Sequence, residues 1–162
     1  MIGIMRLNFS QALSPRLQRL LDLPLFSTLD RRELQIVDDL LHERSYVAGE
    51  IIFDEGEQGQ AIYCVFSGSV LICHQGDPSR GFINELGPGS FFGDLALLDD
   101  APRAAQARAV SDCTLGVFFR SDFQDLLVTD VRLSSKLSLQ LARQLGERLR
   151  AMVTGQRGEH CL

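Results

Sequence analysis

The feature that most limits what this chain can become is a series of short apolar runs, each closed by a glycine-containing turn. Runs at Glu43–Val47, Glu50–Phe53, Ala61–Phe66, Val70–His74, Gly81–Leu86, Ala104–Val110 and Thr114–Phe119 read as strands, because they alternate or collect β-branched and aromatic side chains. Between them lie Ala48-Gly49, Glu55-Gly56, Gln58-Gly59, Ser67-Gly68, Gly76-Asp77-Pro78 and Leu86-Gly87-Pro88-Gly89, all turn-forming combinations. Most of the 14 glycines fall between Gly49 and Gly116. Short strands with turn signals about every 8 to 12 residues predict a mainly β fold. The expected architecture is an eight-stranded β-jelly-roll barrel flanked by N-terminal and C-terminal helices.

The flanks carry helical periodicity. Ser14-Pro15 reads as an N-cap with proline at the first helical position, followed by Leu17, Leu20 and Leu21 on one face, and Pro24 ends the segment. Asp30 and Glu33 have the spacing of a capping box ahead of Leu34, Val37, Leu40 and Leu41. After Arg120, Ser121 is expected to cap a short helix bearing Phe123, Leu126 and Leu127. Thr129-Asp130 then opens a longer helix with Leu133, Leu137, Leu141, Leu145 and Leu149, stopped at Gly155. This divides the chain into an N-terminal helical extension over 1–24, a β domain over 25–128, and a C-terminal lid or dimerisation helix with its tail over 129–162.

Composition removes several function classes. Sixteen basic against 21 acidic side chains give a net charge of −5, which disfavours sequence-independent nucleic-acid binding. A small anionic ligand needs only one well-placed cation. No apolar run reaches the roughly 18 residues of a membrane span, and the N-terminus, with Arg6 and Asn8, makes a poor signal peptide. A cytoplasmic protein without membrane contact is expected. Cys64, Cys73, Cys113 and Cys161 form no C-x-x-C pair, and His42, His74 and His160 are far apart, so no metal or other cofactor is expected. With no nucleophile elbow, P-loop or dinucleotide fingerprint either, the chain is not expected to be an enzyme.

One stretch differs from the rest: Phe92-Gly93-Asp94-Leu95-Ala96-Leu97-Leu98, then Asp99-Asp100-Ala101-Pro102-Arg103-Ala104-Ala105. A helical turn starting at Gly93-Asp94 leaves first-turn N–H groups available to an anion, and Arg103 follows across a proline-containing loop. Turn and guanidinium together make a minimal phosphate clamp. The alternative for Asp94 is a helix cap, and for Arg103 a solvated charge. Asp99 and Asp100 read as loop charges, and Arg143, Arg148, Arg150 and Arg157 as a solvated helix face. Ser138, Ala142, Leu145, Leu149 and Met152 fall at heptad-like positions, so a homodimer through this helix is a candidate assembly.

The segment FGDLALLDDAPRAAQARA resembles the phosphate-binding cassette of the cyclic-nucleotide-binding domain family, which includes the catabolite activator protein and the regulatory subunit of protein kinase A. PLFSTLDRREL, AGEIIFDEGEQG, YCVFSGSV and LGPGSFFGD extend the likeness over about Leu23 to Leu149. The resemblance implies a ligand site made by Phe92, Gly93, Asp94, Leu95, Ala96, Arg103, Ala104 and Ala105. In it Arg103 pairs with the cyclic phosphate, the N–H groups of Leu95, Ala96 and Ala104 complete the cradle, and Asp94 accepts the ribose 2′-OH.

Asp94 stands where the family usually has Glu, and is shorter by one C–C bond, about 1.5 Å. The helix sits closer to the sugar, a water bridges, or the contact is lost at roughly 1.5–3 kcal/mol. Ala104 stands where some members carry Ser or Thr for guanine, which leans towards cAMP over cGMP. The resemblance thus implies a cAMP-binding regulatory sensor, signalling through its flanking helices to a separate protein effector or a dimer mate. No direct DNA binding is expected, because no helix-turn-helix follows. The alternative is a degenerate domain of the same fold that serves as a protein-interaction module without nucleotide.

Overall fold

A computed structural model describes residues 12–74 and 82–155. The turn expected at Gly76-Asp77-Pro78, together with Gly81, Arg157, His160 and Cys161, lies outside the described residues. Helix α1 (Pro15–Leu21) begins where Ser14 Oγ accepts from the Leu17 N–H, and a 3-10 turn at Pro24–Phe26 follows. Helix α2 (Arg31–Leu40) carries both halves of its capping box. The Asp30 carboxylate accepts from the Glu33 N–H and the Glu33 carboxylate from the Asp30 N–H, each at 2.9 Å.

The strands are β1 (His42–Tyr46), β2 (Ile51–Phe53), β3 (Ala61–Ser67), β4 (Val70–Cys73), β5 (Phe82–Leu86), β6 (Phe91–Phe92), β7 (Gln106–Ala109) and β8 (Cys113–Phe119). They form two four-stranded antiparallel sheets, in the orders β1-β8-β3-β6 and β2-β7-β4-β5. The mainly β, jelly-roll-like fold is as expected, but the barrel is not closed: among the described residues no ladder joins the edge strands of one sheet to the other. The physical reason is length, since β6 is two residues long and β2 three. Strand β6 escaped the sequence reading because it sits against the cassette with no alternation of its own. The expected strand at Ala104–Val110 starts only at Gln106, since Ala104 and Ala105 belong to the cassette loop.

Helix α3 (Arg120–Thr129) departs from expectation at its start. Ser121 lies inside the helix; Phe119 holds the N-cap position and supplies no side-chain cap. The Arg120 N–H instead donates to the Gln60 carbonyl at 2.8 Å, so β8 runs directly into helix. Asp130 caps α4 (Val131–Val153) by accepting from the Leu133 N–H at 3.1 Å.

Two apolar clusters hold the molecule together. One joins Leu20, Phe26 and Leu34 of the N-terminal helices to Ile62 and Phe118 and to Leu133, Leu137 and Leu141 of α4. The other fills the space between the sheets around Val65, Ile72, Phe92 and Leu115. The leucine row of α4 is therefore split. Its first three members are buried, Leu145 is half-buried and Leu149 is exposed, as the drift of i, i+4 steps around a helix requires. Glu33, itself buried, accepts from Lys136 Nζ at 2.6 Å and fixes the first turns of α4 to α2.

Candidate functional site

The site begins at Gly93. After β6 the chain must turn sharply, and Gly93 does so in the left-handed region at φ +76°, which a side chain disfavours. A Cβ there would come within 2.6 Å of Arg103 Nη1, so glycine serves both the turn and the approach of the guanidinium. The following 3-10 turn is Asp94–Leu97, with Gly93 and not Asp94 in the N-cap position. This corrects the reading of Asp94 as a cap: it is the first residue of the turn and its carboxylate is free to point elsewhere.

Arg103 returns to the same place from the other side of the loop. Its backbone is held by mutual bonds to the β2–β3 connection: its N–H donates to the Glu57 carbonyl at 2.7 Å and its carbonyl accepts from the Gly56 N–H at 2.8 Å. Nη2 donates to the Ala61 carbonyl at 2.8 Å and Nη1 to the Gly93 carbonyl at 3.2 Å. The guanidinium lies 4.0 Å over the Phe53 ring and 5.7 Å from the Tyr63 ring, a cation–π arrangement. Only 9% of the residue is exposed, and Nε is buried without a partner. Burial pulls the guanidinium pKa down from its ordinary value, although arginine remains charged at any physiological pH. Among the described residues no carboxylate pairs with it.

A cavity of about 130 Å³ opens over this guanidinium. Of the residues expected to form the site, Gly93, Asp94, Leu95, Ala96, Arg103, Ala104 and Ala105 line it. Phe92 does not: its ring is fully buried, 5.2 Å from the Tyr63 ring in a parallel stack beneath the site. Among the N–H groups expected to face an anion, that of Ala96 is spent on the Gly93 carbonyl at 3.2 Å. Those of Leu95 and Ala104 donate to no acceptor among the described residues. The sequence reading missed Phe53, Gly59 and Ile72 in the cavity wall, and Asp99, read as a loop charge, lines it too, together with Ala101 and Pro102. A Cβ on Gly59 would stand 2.9 Å from Ala96 Cβ and 3.3 Å from Arg103 Nε, so its signal was present as a glycine counted only as a turn.

The larger miss is Arg148. Read as one of several solvated charges on the last helix, it is 91% buried, and its Nη1 donates to both oxygens of Asp94 at 2.9 and 3.0 Å. Asp94 is wholly buried. Sequence periodicity places Arg148 near the inner face of α4, yet gives no hint of the partner 54 positions earlier. Arg143 and Arg150 are exposed, as expected.

Comparison with known proteins agrees with the geometry. The family model described as cyclic nucleotide-binding domain matches residues 43–130. The Cyclic AMP receptor protein of Thermus thermophilus is 38% identical over 126 residues, covering 76% of this chain and 58% of that protein. The cAMP-dependent protein kinase regulatory subunit of Colletotrichum orbiculare is 37% identical over 106 residues, covering 65% of this chain and 27% of that protein. This chain thus spans from about a quarter to little more than half of these relatives. The regulatory domain of Toxoplasma gondii protein kinase A, crystallised with cAMP, superposes with a TM-score of 0.62 at 34% identity, covering 68% of this chain and 42% of the other.

Proposed function

The chain belongs to the cyclic nucleotide-binding domain family, and from that premise we propose that its cavity takes a 3′,5′-cyclic nucleotide, cAMP in the first instance. The observation that carries this reading is Arg103, a desolvated cation with no carboxylate partner, facing a cavity beside unspent N–H groups. A buried charge of this kind is costly until an anion meets it. A cyclic phosphate carries one charge and presents oxygens that a guanidinium fork can engage.

In the bound state Arg103 turns its amino groups from the carbonyls of Gly93 and Ala61 to the phosphate. Phe53 keeps the guanidinium plane from tilting away. The Leu95 and Ala104 N–H groups donate to the same anion. The ribose 2′-OH donates to Asp94, whose two oxygens have acceptor capacity beyond the single nitrogen of Arg148. Asp94 is thereby shared between ligand and α4, which makes the end of that helix responsive to occupancy. Ala104 offers no hydroxyl to a guanine amino group, which supports cAMP over cGMP. No described helix is long and apolar enough to cross a membrane.

The listener is a separate protein or a second copy. Leu149, Met152 and Val153 at the end of α4 are 62%, 75% and 79% exposed, an apolar row suited to a helix-to-helix dimer. A second reading, the fold kept as an interaction module without nucleotide, draws on Asp94 being already satisfied by Arg148.

Calorimetric titration with cAMP, cGMP and 5′-AMP decides between them, with Arg103→Ala as control. The expected result is micromolar or tighter binding of a cyclic nucleotide, weakened about 100-fold in the variant, the equivalent of ~3 kcal/mol of charge-assisted bonding. Absence of heat with every nucleotide up to millimolar concentration would leave the interaction module.

A further inference from the structure

Asp99 lines the same cavity as Arg103, which puts a carboxylate in the wall of a pocket suited to an anion. Its Oδ1 accepts from the Ala101 N–H at 3.1 Å and so closes the turn ahead of Pro102. Pro102 is bridged to Gln58, whose amide donates to the Asp100 carbonyl at 3.0 Å. The cassette loop and the β2–β3 connection therefore form one continuous rim. That connection carries Glu57, two residues before Gly59 in the cavity wall. The Glu57 carbonyl accepts from the Arg103 N–H at 2.7 Å. Burial is the main influence on the Arg103 pKa and lowers it, but Tyr63 and Glu57 pull the other way, so the Glu57 charge reaches the guanidinium.

Charges around the cavity do not balance. Asp94 is met by Arg148 and Asp100 by Arg120. What remains is the Arg103 cation against Asp99 and Glu57, neither of which has an ion-pair partner among the described residues. Both carboxylates are exposed, so they act on the cavity through water and not by contact. A phosphate on its way to the buried cation has to pass a rim of net negative charge.

We propose that Asp99, aided by Glu57, selects the ligand by its charge: the site admits a monoanionic phosphodiester and turns away dianionic phosphomonoesters of the same nucleoside. This rests on the cavity taking a cyclic nucleotide. The repulsion scales with the charge that the ligand carries. An exposed carboxylate lowers the affinity of a unit negative charge about threefold. It lowers that of a dianion by the square of the factor, about tenfold, and leaves a neutral nucleoside unaffected. Discrimination is gained at a small loss of affinity for the accepted ligand. Exclusion by shape has no such dependence on charge. Asp99 is thus a specificity-determining residue and not an anchor for the ligand.

The test is displacement of tritiated cAMP from the full chain at pH 8 by adenosine, cAMP and 5′-AMP, which carry none, one and two phosphate charges. Wild type is compared with Asp99→Asn, Glu57→Gln and the double variant. Asparagine keeps the Oδ1 acceptor for the Ala101 N–H, so only the charge is removed. In Asp99→Asn adenosine is expected to be unchanged, cAMP to bind about threefold more tightly and 5′-AMP about tenfold, so the preference for cAMP over 5′-AMP falls about threefold. Glu57→Gln gives a smaller change in the same proportion, and carries the test independently of how Asp99→Asn folds. Raising the salt from ~50 to ~500 mM shrinks every one of these differences.

A preference for cAMP over 5′-AMP that stays at the wild-type value in both single variants overturns charge selection and leaves the ligand assignment intact. Equal changes for all three ligands do the same, as does a 5′-AMP that displaces nothing at millimolar concentration from wild type and the double variant alike. Failure of both cAMP and cGMP to bind wild type overturns the ligand assignment, and the role of the rim with it.

Discussion

Replacing Arg148 by alanine tests how the last third of α4 is attached. The substitution strips the fully buried Asp94 carboxylate of both hydrogen bonds it receives. In a rigid protein the cost is that of an uncompensated buried charge, about 3–5 kcal/mol. A cheaper route is available here. Beyond Leu141, Arg148 is the one buried residue of α4, while Leu149, Met152 and Val153 stay exposed. The helix end can therefore lift, letting water reach Asp94, with little apolar area surrendered. The protein takes the less costly route, so the loss is limited to the pair's own net value, ~1.5–3 kcal/mol for a charge-assisted contact.

For a chain of this size that lowers Tm by about 3–12 °C. Urea unfolding of wild type, Arg148→Ala, Asp94→Ala and the double variant measures it, the cycle giving a coupling energy of the same size. Exchange at residues 145–153 should rise in Arg148→Ala while that at 133–141 stays slow. A loss above 4 kcal/mol would mean that the helix end is rigidly docked, and the reasoning that makes it responsive to a ligand would be wrong. A loss below 0.5 kcal/mol would mean that the pair does not persist in solution.

Two further outcomes follow from backbone and burial. Gly93→Ala places a Cβ at φ +76° and 2.6 Å from Arg103 Nη1, so a stability loss of about 1–3 kcal/mol is expected from the strained conformation alone. Calorimetry should also show weaker cAMP binding, and unchanged stability and affinity together would contradict the assigned turn. Burial pushes the Cys64 thiol up to about 12 and raises Cys113 and Tyr46 in the same direction. The unfolded chain loses those protons first, so stability is full below about pH 9. It should decline as pH rises from there towards 12, read as a falling urea midpoint. Cys64 should also resist thiol reagents at pH 8 until the protein is unfolded, and rapid labelling of the native chain would refute its burial.

The parts of the fold legible in the sequence are those set by local chemistry. Asp30 and Glu33 satisfy each other across three residues, so the capping box could be read directly and is present. Leu133, Leu137 and Leu141 are buried because their spacing matches the helix period. The strands between glycine turns were recoverable for the same reason. Errors arose where a neighbour far along the chain decides. Ser121 looks like a cap by type, yet with the Arg120 N–H bonded to Gln60 the helix α3 starts two residues earlier, with Phe119 in the N-cap position. Phe92 looks like a ligand residue within its motif, but stacking on Tyr63, its register partner in β3, draws its ring into the core. Arg148 looks like any charge near the end of a helix. Only the packing of α4 over the cassette makes it the partner of Asp94.

The electrostatics of the site also account for its modest appearance in the composition. A chain of net charge −5 gains nothing from diffuse attraction of anions, and for a small monoanionic ligand it needs none. Arg103 is removed from water, flanked by two aromatic rings, and given carbonyls in place of a carboxylate. In that setting each interaction with an anion is stronger than at the surface. The same desolvation leaves the guanidinium only partly compensated. Carbonyls satisfy two of the guanidinium nitrogens, and Nε goes without. A carboxylate in place of the Ala61 or Gly93 carbonyl would relieve that cost and silence the site, because an incoming phosphate would then have to displace a charge. Holding Arg103 without a carboxylate ion pair among the described residues costs the protein stability and preserves the free energy with which, on the proposed reading, a cyclic phosphate moves the cassette.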